Sequence, residues 1–269
     1  MTGPILYCGD TELNGAAAYL AGLMTCWDWP FRYVPSNVPM TSELLRQPRS
    51  LLIISDYPAS QFSSECQKLA LEQIHDGSGL LMIGGWESFY GCGGNWHDSH
   101  LSQALPVEIA DRDDRVNFDQ SAWLTPVSDQ SHPIIADLPW KMHPPAIGGM
   151  NRVVAKSNSL CLLNANPFSV SFTHQAGGTL ESSSWSFAAS STLPALVIGQ
   201  YGDGRSASFM SDVAPHWVGG LVDWGLPRVT AQAKGAPGVE VGQHYAQFWK
   251  QLIEWTGNRS YPARSELRS

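Results

Sequence analysis

The stretch GLLMIGGWESFYGCGGNWHD (79–98) runs from an apolar segment into a glycine-rich loop that carries a cysteine, Cys92, and a histidine, His97. A thiol within reach of an imidazole can act as a nucleophile with its base. An inert thiol in a glycine-rich turn is the simpler expectation for Cys92. A second pairing lies in SDVAPHW (211–217), where Asp212 and His216 stand four residues apart. The carboxylate could fix the imidazole tautomer for acid–base chemistry. Alternatively, Asp212 caps a turn and His216 packs beside Trp217. His97 divides the same way: Trp96-His97-Asp98 either faces a crevice or enters a helix capped by Asp98 or Ser99.

Elements must position these residues, and the first third alternates them. PILYCG (4–9), FRYV (31–34), SLLIISD (50–56) and GLLMIG (79–84) read as strands. Residues 14–27 and the short SELLRQ segment read as helices. Ser64 to Gln67 has the form of a capping box ahead of a third helix with Cys66, Leu69, Ala70 and Ile74 on one face, ended by Gly77. Continuous apolar runs separated by helices predict a parallel sheet covered on both faces, with 79–84 as a central strand. From about 106 to 191 the pattern changes to short extended pieces, read as a β-rich insertion in one α/β domain spanning 1–257. PALVIGQY and RSASFMS flank Gly202-Asp-Gly204 as a hairpin. A last helix over about 240–256 places Tyr245, Phe248, Trp249 and Leu252 on one stripe, and 258–269 reads as a disordered tail.

In such sheets ligands bind beyond the carboxyl ends of the strands. Those ends bring forward Asp10, Asp56, Gly84, Gly85 and Asp212, with Trp86, Ser88 and Tyr90 from the glycine-rich loop and Trp217 as candidate wall residues. The loop lacks the Lys and the spacing of a phosphate-binding motif. Asp113, Asp114 and Arg115 read as a turn with a surface or interface ion pair.

The chain's 269 residues carry a formal charge of −8, with only 16 Lys and Arg, which argues against a nucleic-acid partner. No apolar run is long enough for a membrane span, and the N-terminus has no basic, apolar export pattern, so a cytoplasmic location is expected. The five cysteines show neither disulfide nor zinc spacing. No cofactor is indicated, and metal dependence is unknown. The 11 tryptophans point to an aromatic-lined cleft for a small polar molecule such as a carbohydrate, or to the interface of a homo-oligomer.

The order of segments resembles the class I glutamine amidotransferase-like superfamily, in particular a branch of glutamine amidotransferase-like cytoplasmic proteins. The resemblance is carried by GLLMIGGWESFYGCGG, ALPVEI (104–109) with DDRV (113–116), HPI (132–134) with LP (138–139), NRVVAK (151–156), YGDGRSASFMSDVAPHW (201–217) and YAQFWKQLIEW (245–255). It implies a flavodoxin-like three-layer sandwich with a mostly parallel central sheet. It also implies a nucleophile on the tight turn after the fourth strand, where this chain has Gly84-Gly85-Trp86. Cys92 lies beyond that elbow. The family's late His-Pro-Glu-like pattern is replaced by Asp212 and His216 at a different spacing. The expectation is a protein that binds or acts on a small polar molecule without glutaminase activity. Its alternatives are a hydrolase, lyase or isomerase using the Asp/His pair, a Cys92 thiol enzyme, and a non-catalytic subunit.

Overall fold

The computed structural model describes residues 3–128, 131–173 and 184–258. Its parallel half is built from β1 (Ile5–Gly9), β2 (Phe31–Val34), β3 (Leu51–Ser55) and β4 (Gly79–Ile83), joined by α1 (Ala17–Cys26), α2 (Ser42–Leu45) and α3 (Ser64–His75). Every residue of β1, β3 and β4 is buried, as their unbroken apolar sequences require of strands covered on both faces. The order β2-β1-β3-β4 is flavodoxin-like. From β1 the chain crosses one way to β2 and back past β1 to β3. Right-handed crossovers in opposite directions therefore put α1 on one face and α2 and α3 on the other.

The middle of the chain adds β5 (Val107–Glu108), β6 (Arg115–Pro126), β7 (Ala146–Asn151), β8 (Val154–Ala155), β9 (Leu160–Thr173) and β10 (Ser184–Ala189). The hairpin β11 (Leu193–Tyr201) and β12 (Gly204–Phe209) follows, turning at Gly202-Asp203. β12 pairs in parallel with β4, so β4 is central, and it carries the chain to the same edge of the sheet. Beyond β12 the sheet continues antiparallel as β11-β9-β6-β7, with β10 pairing β9. The β-rich stretch thus extends the main sheet, apart from the small β5–β8 pair.

The chain closes with α4 (Pro215–Val218), β13 (Arg228–Ala231), β14 (Val239–Gly242) and α5 (Gln243–Thr256). Residues 240–242, expected in the last helix, pair instead with β13. Helix α5 buries Tyr245, Phe248, Trp249 and Leu252 as its apolar spacing predicts. Two further corrections are local. The N-cap of α3 is Ser63, whose hydroxyl accepts from the Cys66 amide, and not Ser64. Gln67, expected to close a capping box, binds the Phe62 carbonyl and the His100 amide. The tail from 259 lies outside the described residues. No helix among the described residues is long and apolar enough to cross a membrane.

Candidate functional site

Asp10 follows β1, Asp56 follows β3 and Asp212 follows β12, all at the carboxyl edge of the sheet. The first two flank the point where the chain reverses direction across the sheet, the place such folds reserve for ligands. Asp10 and Asp56 adopt left-handed backbone conformations, φ 51° and 43°, which aspartate tolerates better than most residues and which mark positions held by their surroundings.

Asp10 is buried. Its carboxylate accepts hydrogen bonds from the Tyr7 hydroxyl and, at 2.9 Å, from the Ser55 hydroxyl. Burial, then the charges of Asp212 and Asp56, push its pKa well above the carboxylate range. Asp56 is held at both ends. Its carboxylate accepts from the Glu87 amide at 2.7 Å, and its own amide donates to Ser88 Oγ at 2.8 Å. Burial and the neighbouring Asp212 carboxylate raise its pKa to about 7. Asp212 is 1% exposed. One oxygen accepts from the Val213 amide at 2.5 Å and the Ala214 amide at 3.3 Å, as an aspartate capping a turn does. The other oxygen is buried without a hydrogen-bond partner. Desolvation raises this group to about 7 despite the two amides.

His216 Nδ1 stands 3.5 Å from that unpartnered oxygen, an ion-pair distance too long for a strong hydrogen bond. The side chain is 57% exposed and opens to solvent above the buried carboxylates. His216→Ala is therefore expected to change stability by only about 0.5 kcal/mol, the scale of surface sites. A loss several times larger in a denaturation midpoint would show the imidazole to be structural.

The glycine-rich loop is anchored from below by residues that sequence reading missed. Asn151, fully buried at the end of β7, accepts from the Gly85 amide at 2.9 Å and donates to the Gly85 carbonyl at 3.2 Å. It also donates to Asp114 at 2.8 Å. Asp114 in turn accepts from the Tyr90 and Gly91 amides at 3.1 and 3.0 Å. Asp114 is thus a buried organiser of the loop and not a surface residue, while Asp113 and Arg115 do form the expected exposed ion pair, at 2.7 Å. The signal was present in DDRV and NRVVAK, but only the pairing of Arg115 with Asn151 across β6 and β7 brings the two segments together.

Other candidates separate from the aspartates. His97 pairs with Asp98 at 2.9 Å and lies against the Tyr90 ring, and Ser99 caps the following turn. No described contact links His97 to Asp56, Asp212 or His216. Cys92 is exposed. Ser88 is buried, its hydroxyl committed to Asp56. Trp217 does not wall the crevice opposite Trp86: it is buried against the backbone of Gly149, and its indole donates to Asn117 at 2.6 Å. Trp86 remains exposed at the edge, one face covered by the Arg115 guanidinium 4.5 Å from the ring centroid. Most of the described tryptophans pack in or against the core; besides Trp86, Trp123 and Trp185 are exposed, on β6 and β10. Among the described residues no group of three or more His, Cys, Asp or Glu is placed to hold a metal ion.

Comparison with solved structures agrees with this architecture. Two cytoplasmic proteins from Salmonella typhimurium superpose with a TM-score of 0.68 each, at 22% and 23% identity, covering 94% of this chain and 98% and 99% of theirs. A thua-like protein from Parabacteroides merdae superposes with a TM-score of 0.57 at 14% identity, over 98% of this chain and 93% of that one. Among curated proteins none matches the sequence. Residues 47–186, which include β3, β4, the glycine-rich loop and its Asp114–Asn151 anchor, match the family described as "putative glutamine amidotransferase", and the chain belongs to that glutamine amidotransferase-like family.

Proposed function

We propose that the carboxyl edge of the sheet, around Asp56, Asp212 and Trp86, takes a small polar molecule, neutral or cationic, and that the protein does not hydrolyse glutamine. The observation that carries this reading is the space beside Gly85. A Cβ built there would lie 2.0 Å from Asp56 Oδ1, so a carboxylate fills the volume that an elbow nucleophile's side chain would need. The buried acidic lining disfavours anionic ligands. A carbohydrate belongs to the favoured class, resting on the free face of Trp86. A cytoplasmic location fits the absence of disulfides among the described cysteines and the Salmonella proteins' description.

A second reading, acid–base catalysis by a hydrolase-like or lyase-like enzyme, is favoured by Asp56 and Asp212. Both are held near pKa 7, where a carboxyl group can give and take a proton at neutral pH. Asp212 and solvent-facing His216 then form a relay between the interior and the crevice.

The test is ammonia release from glutamine by wild type and Cys92→Ala, alongside fluorescence titration with glucose. No glutamine turnover is expected from either protein. Glucose quenching should be lost in Trp86→Ala and kept in Cys92→Ala. Glutaminase activity that vanishes with Cys92→Ala would overturn the proposal and establish a thiol enzyme.

A further inference from the structure

A cleft of about 540 Å³ opens at the opposite edge of the sheet, before the amino ends of β1, β3 and β4. That volume lies within the range of small-molecule sites. Gly3, Arg46, Gln47, Arg49, Gln73 and Ser78 are among the residues lining it. Arg49 is only 7% exposed. Its Nη1 donates to the Leu45 carbonyl at 2.7 Å, but Nε and Nη2 are buried with no partner among the described residues. No carboxylate among the described residues forms an ion pair with it. The ion pairs around the cleft involve Arg46 with Glu65, at 4.0 Å, and His75 with Asp76, at 3.4 Å, all with largely exposed side chains.

The orphaned groups cluster. Gln47, Gln73 and Ser78 line the same cleft, and Gln47 Oε1, Gln73 Oε1 and Ser78 Oγ lie behind its surface, buried and unpartnered among the described residues, as does Ser50 Oγ next to Arg49. Gln73 is held in place by its amide nitrogen, which donates to Leu45 O at 2.7 Å and leaves the oxygen free. Buried polar groups are nearly always satisfied, and a buried guanidinium is costly unless an anion joins it. Burial pushes the Arg49 pKa down to about 10, which still leaves it charged at neutral pH.

We propose that this cleft is an anion-binding site, separate from the carboxyl edge of the sheet, in which the buried Arg49 side chain turns its Nε and Nη2 edge outward onto a carboxylate or phosphate group. The two adjacent N–H donors match the paired oxygens of such a group. Arg46 at the rim adds positive potential. The free oxygens of Gln47 and Gln73 call for donors on the rest of the ligand, and Ser78 can serve either way. The ligand class is a small hydroxylated or aminated acid or phosphate ester. Asp76 at the mouth disfavours highly charged anions.

Thermal unfolding in an anion-poor zwitterionic buffer tests the site, with inorganic phosphate, L-malate and uncharged glycerol as probes. Phosphate or malate is expected to raise the wild-type midpoint saturably by a few degrees, and glycerol at equal concentration is not. Response to phosphate alone identifies a phosphate ester as the natural class, and response to malate alone a hydroxy acid. Arg49→Met should abolish the rise while melting no lower than wild type in the anion-poor buffer, because the unpaired charge is gone. Arg49→Lys should weaken binding by about 10- to 100-fold through loss of the paired donors. Should Arg49→Met fail to fold, Ser78→Ala carries the test, with an expected several-fold loss of affinity. No midpoint shift at about 10 mM of either anion, or a shift that survives in the folded variants, overturns the proposal.

Discussion

Gly84→Ala is expected to lose about 3 kcal/mol or more, one of the largest effects of any single methyl in this chain. A Cβ at 84 would lie 2.0 Å from the Met210 carbonyl oxygen and 2.8 Å from Asn151 Oδ1. The Met210 oxygen is backbone. The Gly84 amide donates to Phe209 O at 2.7 Å, clamping the ends of β4 and β12 together, so neither strand can retreat cheaply. Gly85→Ala meets a side chain instead, the Asp56 carboxylate at 2.0 Å. It should cost about 2–4 kcal/mol, and Asp56→Ala should recover part of that loss in the double variant, whereas Gly84→Ala should gain nothing from it. Urea denaturation of wild type, the three single variants and the two double variants measures this. An unchanged midpoint for Gly84→Ala would mean that the two strand ends are not in the contact described. Recovery at 85 would also show that an elbow cysteine fits this backbone only where Asp56 is absent.

Asp212→Asn is expected to stabilise the protein by about 2–4 kcal/mol above pH 8 and by little near pH 4, relative to wild type. The sign follows from the direction of the shift. Desolvation raises Asp212 from the ordinary carboxylate range to about 7, so the folded state holds a proton that the unfolded state has released. The stability tied to that proton is fully present below about pH 4 and is lost as pH rises through 7. Asparagine stays neutral throughout. Its oxygen can keep the Val213 and Ala214 amides, and its NH2 group takes the position of the unpartnered oxygen, facing the other acids. Asp10 and Asp56, which also feel the Asp212 charge, should then titrate lower. Tyr7 and Tyr245 face the same carboxylate but stay neutral, since burial drives both well above their ordinary range. His216 opposes the effect only weakly, being exposed and 3.5 Å away. Denaturation from pH 4 to 9 reads the difference. A variant whose stability parallels wild type at every pH would show that Asp212 is ionised at little cost, and the acid–base reading would lose its support.

The elements legible in the sequence are those written in short-range pattern. Ile5–Gly9, Leu51–Ser55 and Gly79–Ile83 were readable as buried parallel strands because covering both faces demands an unbroken apolar run. Asp10, Asp56 and Asp212 were readable as edge residues for a related reason: a polar residue can follow such a run only where the chain leaves the core. What periodicity could not show is which distant segments meet. The Asp114–Asn151 anchor spans 37 residues and depends on the register of β6 against β7. Ser88 and Trp217, polar or amphipathic residues in loops, looked like ligand contacts, but the tertiary fold gave their polar atoms to Asp56 and Asn117. His97 and His216 looked alike in the chain; one is paired beside Tyr90 and the other stands over a buried carboxylate. Arg49, preceding a strand in a polar turn, carried no signal at all. Its burial, with no ion pair to an acid among the described residues, follows from where α2, α3 and the starts of three strands converge, because desolvation and hydrogen-bond completion are set by every neighbour in space and not by those in sequence.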